Sequence, residues 1–107
     1  MNKYRAVPTV IDGIRFASKA EARRYGELKL LERGGKIKHI EMQMRFPLDV
    51  SYKFGGEKTI GHYVADFYYL QNGKEVIEDV KGFRTPLYKW KKKHFEAQYG
   101  IKITEIK

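Results

Sequence analysis

The stretch that decides the fold is HYVADFYYLQNGKEVIEDVKG, residues 62–82. Tyr63 to Leu70 is dense in aromatic and β-branched side chains, the composition of a strand. Lys74 to Lys81 reads as its partner. Between them stands Gln71-Asn72-Gly73, and Asn-Gly favours a two-residue type I′ turn, because both central residues of that turn need positive φ. With Asn72 and Gly73 in the turn, Gln71 pairs with Lys74. Counting back along both strands then sets Asp66 directly opposite Asp79. Side chains so opposed share a face, with Cβ atoms roughly 4.5–5.5 Å apart. Two facing carboxylates repel, and a divalent cation between them removes the penalty. Lys81, two residues beyond Asp79, points the same way. Asp66 also lies inside an aromatic run, where an uncompensated carboxylate is costly.

Working outward, Thr9 to Phe16 predicts a short N-terminal hairpin turned at Asp12-Gly13. Ser18 to Glu32 predicts a helix, with Ser18 and Glu21 at capping-box spacing and Gly34-Gly35 as its stop. From Ile37 to Leu48 apolar residues alternate at Ile40, Met42, Met44, Phe46 and Leu48, a strand period. Val50, Tyr52 and Phe54 extend it to a turn at Gly55-Gly56. After the central hairpin, Thr85 caps a second helix with Pro86 at its first position, running to about Tyr99 and ended by Gly100. Ile101 to Ile106 is a last short strand. The expectation is an α/β fold: a single domain, residues 1–107, with a mixed β-sheet flanked by two helices and a short N-terminal hairpin.

Composition narrows the function. A chain of 107 residues holds one compact domain, and eight Tyr, six Phe and one Trp supply a core without staples. The absence of cysteine excludes disulfides, thiolate metal sites and cysteine nucleophiles. No apolar run approaches the roughly 18 residues needed to span a bilayer, so no membrane partner is expected. Nor does the N-terminus resemble a signal peptide, so an intracellular protein is expected. With 22 Lys and Arg against 13 Asp and Glu, the net charge is +9. Such a surface favours a polyanion, nucleic acid above all.

Asp66 and Asp79 offer hard oxygen ligands of the kind Mg²⁺ takes, with water completing the shell. A lysine beside such an ion can orient an attacking water or stabilise developing negative charge. The set Asp66, Asp79 and Lys81 therefore fits metal-dependent phosphodiester hydrolysis. Asp66 followed by Asp79-Val80-Lys81 resembles the Asp…(Asp/Glu)-x-Lys signature of the PD-(D/E)xK nuclease superfamily. The predicted element order is similar too, an αβββαβ core of the restriction-endonuclease kind. A small phage-borne group within that superfamily shows a pattern similar to Lys3-Tyr4, Asp12-Gly13-Ile14, Phe16-x-Ser18-x-x-Glu21, Ala65-Asp66-Phe67 and Glu78-Asp79-Val80-Lys81-Gly82. That resemblance covers nearly the whole chain. Ala65 replaces the superfamily's usual proline before the first aspartate.

The resemblance implies a Mg²⁺-dependent (or Mn²⁺-dependent) DNA endonuclease, phage or prophage encoded, acting in the bacterial cytoplasm. It implies metal on Asp66 and Asp79, with Lys81 serving the attacking water. Glu21 has two roles of equal standing. It is an N3 capping residue, and the resemblance makes an acid on the first helix a third metal ligand. Glu78 is a rival ligand that alternation turns to the opposite face, unless a bulge swaps it with Asp79. On the second helix Lys89, Lys92 and Lys93 fall on a polar arc, as DNA contacts or as a solvated face. Lys91 and Gln98 fall on the arc of Leu87, Tyr88, Trp90, His94, Phe95, Ala97 and Tyr99. Lys91 either snorkels there or reaches a phosphate. His94 reads as a satisfied core histidine, and His39 and His62 lack the spacing of a zinc site. No second domain reads base sequence, which favours recognition of DNA shape. A branched recombination or packaging intermediate, such as a Holliday junction cut by a homodimer, is the expected substrate. The rival readings are a non-catalytic nucleic-acid-binding protein and a subunit of a larger phage machine, and charge alone does not separate DNA from RNA.

Overall fold

A computed structural model describes residues 9–81 and 84–107. Lys3, Tyr4 and Gly82, which carry some of the family pattern, lie outside the described residues. The chain forms a hairpin of β1 (Thr9–Ile11) and β2 (Ile14–Phe16), then α1 (Lys19–Arg33), β3 (Lys38–Ser51), β4 (Glu57–Gln71), β5 (Lys74–Val80), α2 (Pro86–Tyr99) and β6 (Ile103–Ile106). The main sheet has the order β3-β4-β5-β6. Its first three strands are antiparallel neighbours, and β6 joins β5 in parallel through the α2 crossover. The fold is thus a single α/β domain with a mixed sheet, two helices and a two-stranded N-terminal sheet, as the sequence predicts.

Local chemistry sets the boundaries. Asn72 and Gly73 have φ of 53° and 76°, the type I′ geometry, and Asp12 and Gly13 repeat it at 53° and 76°. Ser18 accepts a hydrogen bond from Glu21 N and caps α1; Thr85 does the same for Tyr88 N at the start of α2. Gly100, at φ 71°, ends α2 in the left-handed conformation. β4 is longer than predicted, because in residues 57–62 the strand formers Thr59 and Ile60 stand among Glu57, Lys58 and Gly61, which weaken the signal. They pair because the Gly55-Gly56 turn folds them back on β3. Tyr52 and Phe54 belong to that turn and are exposed.

Two apolar clusters hold the sheet. Phe16, Tyr25, Leu28, Ile37, Phe67 and Tyr69 pack around α1. Leu48, Tyr63, Ala65, Ile77, Tyr88 and Phe95 pack around α2. All four of these β4 residues are odd-numbered, and strict alternation would give them one environment. The strand instead changes helix between Ala65 and Phe67, at Asp66. No helix among the described residues is long and apolar enough to cross a membrane.

Candidate active site

The β4–β5 ladder runs from Gln71↔Lys74 to Phe67↔Glu78 and stops. This is the register that the Asn-Gly turn imposes, but Asp66 and Asp79 are not a ladder pair. The strands diverge just before reaching them. Pairing alternates between hydrogen-bonded and non-bonded positions, so Ala65 and Val80 would bond next. Val80 N donates instead to Asp66 Oδ2, at 2.7 Å. A carboxylate has replaced a main-chain carbonyl, and it is thereby fixed where the strands separate.

Asp79 stands across that gap and is only 2% exposed. Tyr63 Oη donates to its Oδ2 at 2.5 Å, and Lys81 Nζ lies 3.1 Å from its Oδ1. The Lys81 ammonium also sits 4.3 Å from the Tyr88 ring centroid, a cation–π contact that holds its stem against α2. Burial pushes the Asp79 carboxyl up to about 6; the Tyr63 hydroxyl opposes the shift, and the Asp66 charge adds to it. Burial raises Asp66 as well, opposed by the Val80 amide and increased by the charge of Glu21. Burial and the Asp79 carboxylate hold the Tyr63 phenol far above its ordinary range, so it stays a donor.

Glu21 is a cap in this structure. Its amide donates to Ser18 Oγ at 3.2 Å, and its Oε2 accepts from the same hydroxyl at 3.3 Å. It also lines a cleft of about 340 Å³ together with Asp66, Arg15 and Gln43. Gln43 holds φ of 55° within β3 and donates from Nε2 to Asp66 Oδ1 at 3.4 Å. Non-glycine residues at positive φ are strained and gather at functional sites. Among the described residues no group of three or more His, Cys, Asp and Glu side chains is placed to hold a metal as it stands. The carboxylates brought together are the Asp66–Asp79 pair.

Glu78 does not exchange with Asp79. It faces α1 and is 1% exposed, where Arg24 grips it from Nε at 2.8 Å and Nη2 at 2.6 Å. Tyr69 Oη donates a third bond at 2.5 Å. These bonds satisfy the carboxylate and remove it from the ligand set. The Glu78 hydrogen bond in turn raises the Arg24 pKa, and burial beside Glu78 pushes the Tyr69 phenol up to about 12.

The buried stripe of α2 is narrower than the predicted arc. Tyr88 and Phe95 are buried and Tyr99 is half-buried, but Leu87 and Trp90 are each 63% exposed and Ala97 is exposed too. Only one flank of the helix meets the sheet. Lys89, Lys92 and Lys93 do come together, with Arg84, around a cleft of about 390 Å³ that also includes Glu96 and Glu105. Lys92 is not simply solvated, since its Nζ lies 3.2 Å from Glu105 Oε2. Lys91 is half-buried, with no hydrogen bond or ion pair among the described residues, to Asp66, Asp79 or any other group. Gln98 clamps Asp49 of β3 through its amide and its carboxylate. His94 Nε2 donates to the Asp49 carbonyl at 2.8 Å, as a satisfied histidine should.

The profile of a family described as "Protein of unknown function (DUF1064)" matches residues 1–106. The chain belongs to the DUF1064 family. No curated protein and no solved structure matches it significantly.

In this DUF1064 member the paired acids fit a small hard cation. Each carboxylate has one oxygen fixed by a close donor, Val80 N on Asp66 and Tyr63 Oη on Asp79. The other oxygens are held less tightly, by Gln43 at 3.4 Å and by Lys81 at 3.1 Å. Two oxygens of opposite strands are thus held loosely beside a buried charge, a donor set suited to Mg²⁺ or Mn²⁺ with water. Sequence reasoning missed Tyr63, Gln43, Arg24 and Tyr69. Tyr63 is three residues from Asp66, so alternation assigns it to the other face. Arg24 is the one with a signal: it lies one turn after Glu21 on the face of α1 turned to the sheet.

Proposed function

We propose that this DUF1064 chain is a metal-dependent DNA endonuclease. The observation that carries the reading is the separation of β4 from β5 at Asp66, which gathers two acids and a lysine at a gap between the two central strands. The resemblance of Asp66 and Asp79-Val80-Lys81 to the PD-(D/E)xK signature supports it, and so does the αβββαβ element order. Asp66 and Asp79 would hold Mg²⁺ or Mn²⁺, with Glu21 reaching it through water. Such an ion, when bound, polarises a phosphodiester and eases deprotonation of a nearby water. Tyr63 fixes the rotamer of Asp79 by donating to Oδ2, which leaves Oδ1 facing Lys81. Lys81, held between Asp79 and the Tyr88 ring, orients the attacking water or meets charge developing on the phosphate.

The +9 chain and the Arg84, Lys89, Lys92 and Lys93 cluster supply the electrostatic hold on a phosphate backbone. A basic surface that grips the phosphate backbone suits a shaped substrate: branched DNA in phage recombination or packaging, with a homodimer for paired cuts, in the bacterial cytoplasm. The test is incubation with duplex, nicked, flap and four-way DNA, with and without Mg²⁺ or Mn²⁺. Cleavage that needs metal and is lost in Asp66→Asn is the expected result. Cleavage equal in wild type and Asp66→Asn would remove this site from the reaction.

A further inference from the structure

The cleft that holds Glu21 and Asp66 has a second wall with a different chemistry. Arg15 lies at the centre of β2, paired with Val10, and lines the same cleft of about 340 Å³. Its neighbours fix it there. Phe16 is buried, with its ring 5.0 Å from that of Tyr25, and Tyr25 Oη donates to Asp12 Oδ2 in the hairpin turn at 3.2 Å. The hairpin is therefore pinned to α1 at both its turn and its end, and the outward Arg15 stays beside the cleft.

Arg15 differs from the other arginines whose ion pairs are seen. Arg24 pairs with Glu78 and Arg84 with Glu105, each at 2.6 Å. Arg15 makes no ion pair among the described residues, although Glu21 and Asp66 line its own cleft. A free guanidinium that shares a cleft with carboxylates without touching them leaves room for an anion between. The planar fork of arginine matches phosphate oxygens in pairs. The volume is at the small end of ligand-holding clefts, roughly 300–1,000 Å³, and suits a sugar–phosphate unit rather than a duplex.

We propose that Arg15 binds a phosphate group of the nucleic-acid strand lying in this cleft, so that the N-terminal hairpin forms one wall of the substrate site. The inference rests on the nuclease reading, in which the carboxylate wall carries the metal. A metal held by that wall would meet the phosphate from one side and the guanidinium from the other, and Gln43 Nε2, which donates to Asp66, would be a further donor.

The experiment uses the whole chain, with Arg15→Ala, Arg15→Lys and, as control, Asp66→Asn. Three quantities are read: melting temperature, single-turnover cleavage of the best DNA substrate in Mg²⁺, and affinity for a single-stranded deoxytetranucleotide in Ca²⁺. Arg15 is exposed and makes no ion pair among the described residues, so Arg15→Ala should melt with wild type. Loss of a charged bidentate contact should lower cleavage rate and tetranucleotide affinity by roughly 10- to 100-fold. Arg15→Lys should recover only some of this, since the charge remains but the fork does not. Arg15→Ala with wild-type rate and affinity overturns the proposal. So does a loss that comes with a fall in melting temperature, because Arg15 would then be a strut of the hairpin. If wild type cuts nothing but binds the tetranucleotide, and Arg15→Ala loses that binding, the nuclease reading fails and the phosphate site stands.

Discussion

Asp79→Asn should stabilise the metal-free protein, and only above the pH at which Asp79 ionises. In the fold its carboxyl titrates at about 6, against an ordinary value of 3.8. At about 1.4 kcal/mol per pH unit, that gap comes to about 3 kcal/mol. A folded value above the unfolded one means that this group's favourable contribution is complete below pH 3.8 and is lost as the pH rises through 6. At pH 8 without metal, wild type therefore bears a buried charge whose burial cost Tyr63 and Lys81 offset only in part. The amide introduced by Asp79→Asn keeps an oxygen to accept from Tyr63 and carries no charge beside Asp66. Lys81 and Tyr63 already oppose the shift, so the gap is what remains after their attraction and the lost ion pair is not subtracted a second time. The gain at pH 8 is about 3 kcal/mol at most, or up to roughly 12–24 °C in melting temperature for a domain of this size. At pH 4.5 the two proteins should melt much closer together. Thermal melts in EDTA across pH 4.5–8 measure this, and adding Mg²⁺ at pH 8 should raise wild type and not the variant. A variant less stable than wild type at pH 8, or a difference that does not change with pH, would refute the electrostatic account of the Asp66–Asp79 pair.

Other expectations follow from single contacts. Lys81→Ala should slow cleavage by roughly 100- to 1,000-fold while DNA affinity in Ca²⁺ stays close to wild type, since Lys81 is one of 22 basic residues; paired binding and cleavage assays at fixed salt decide it. Arg24→Ala leaves Glu78 buried with Tyr69 as its remaining donor and should cost about 3–5 kcal/mol in urea unfolding. A joint Arg24→Met and Glu78→Leu change should recover most of that loss, and a single-variant cost below about 1 kcal/mol would show the ion pair to be incidental. Lys89→Ala with Lys93→Ala should flatten the log–log salt dependence of duplex binding by about 0.9 per lost contact. Lys91→Ala, with its stem half-buried and its ammonium unpartnered among the described residues, should leave that slope unchanged.

Much of the fold can be read from local chemistry, because the deciding signals are short-range. Asn72-Gly73 sets a turn, and a turn sets a register; every observed pair from Gln71↔Lys74 to Phe67↔Glu78 follows from it. Ser18, Thr85 and Gly100 mark helix ends with side chains and backbone freedom that act within three or four residues. What failed was extrapolation of a period through a place where the period breaks. The exposed flank of α2 is one case, where apolar Leu87 and Trp90 have no sheet to cover them. The start of β4 is another, where Glu57, Lys58 and Gly61 dilute the strand signal of Thr59 and Ile60 and pairing with β3 completes the strand.

By itself, then, the sequence determined which acids and which lysine share one hairpin, and in what register. Only the tertiary structure decided how they meet. At Asp66, β4 passes from the α1 cluster to the α2 cluster, and the ladder to β5 opens. That change of packing puts the Asp66 carboxylate on Val80 N and brings Tyr63, which alternation sends the other way, onto Asp79. It cannot be read along the chain, because it is set by which apolar faces two distant helices present to one strand. The same holds for Glu78, whose neighbour on the chain is in the site while its own carboxylate is taken by Arg24, 54 residues away.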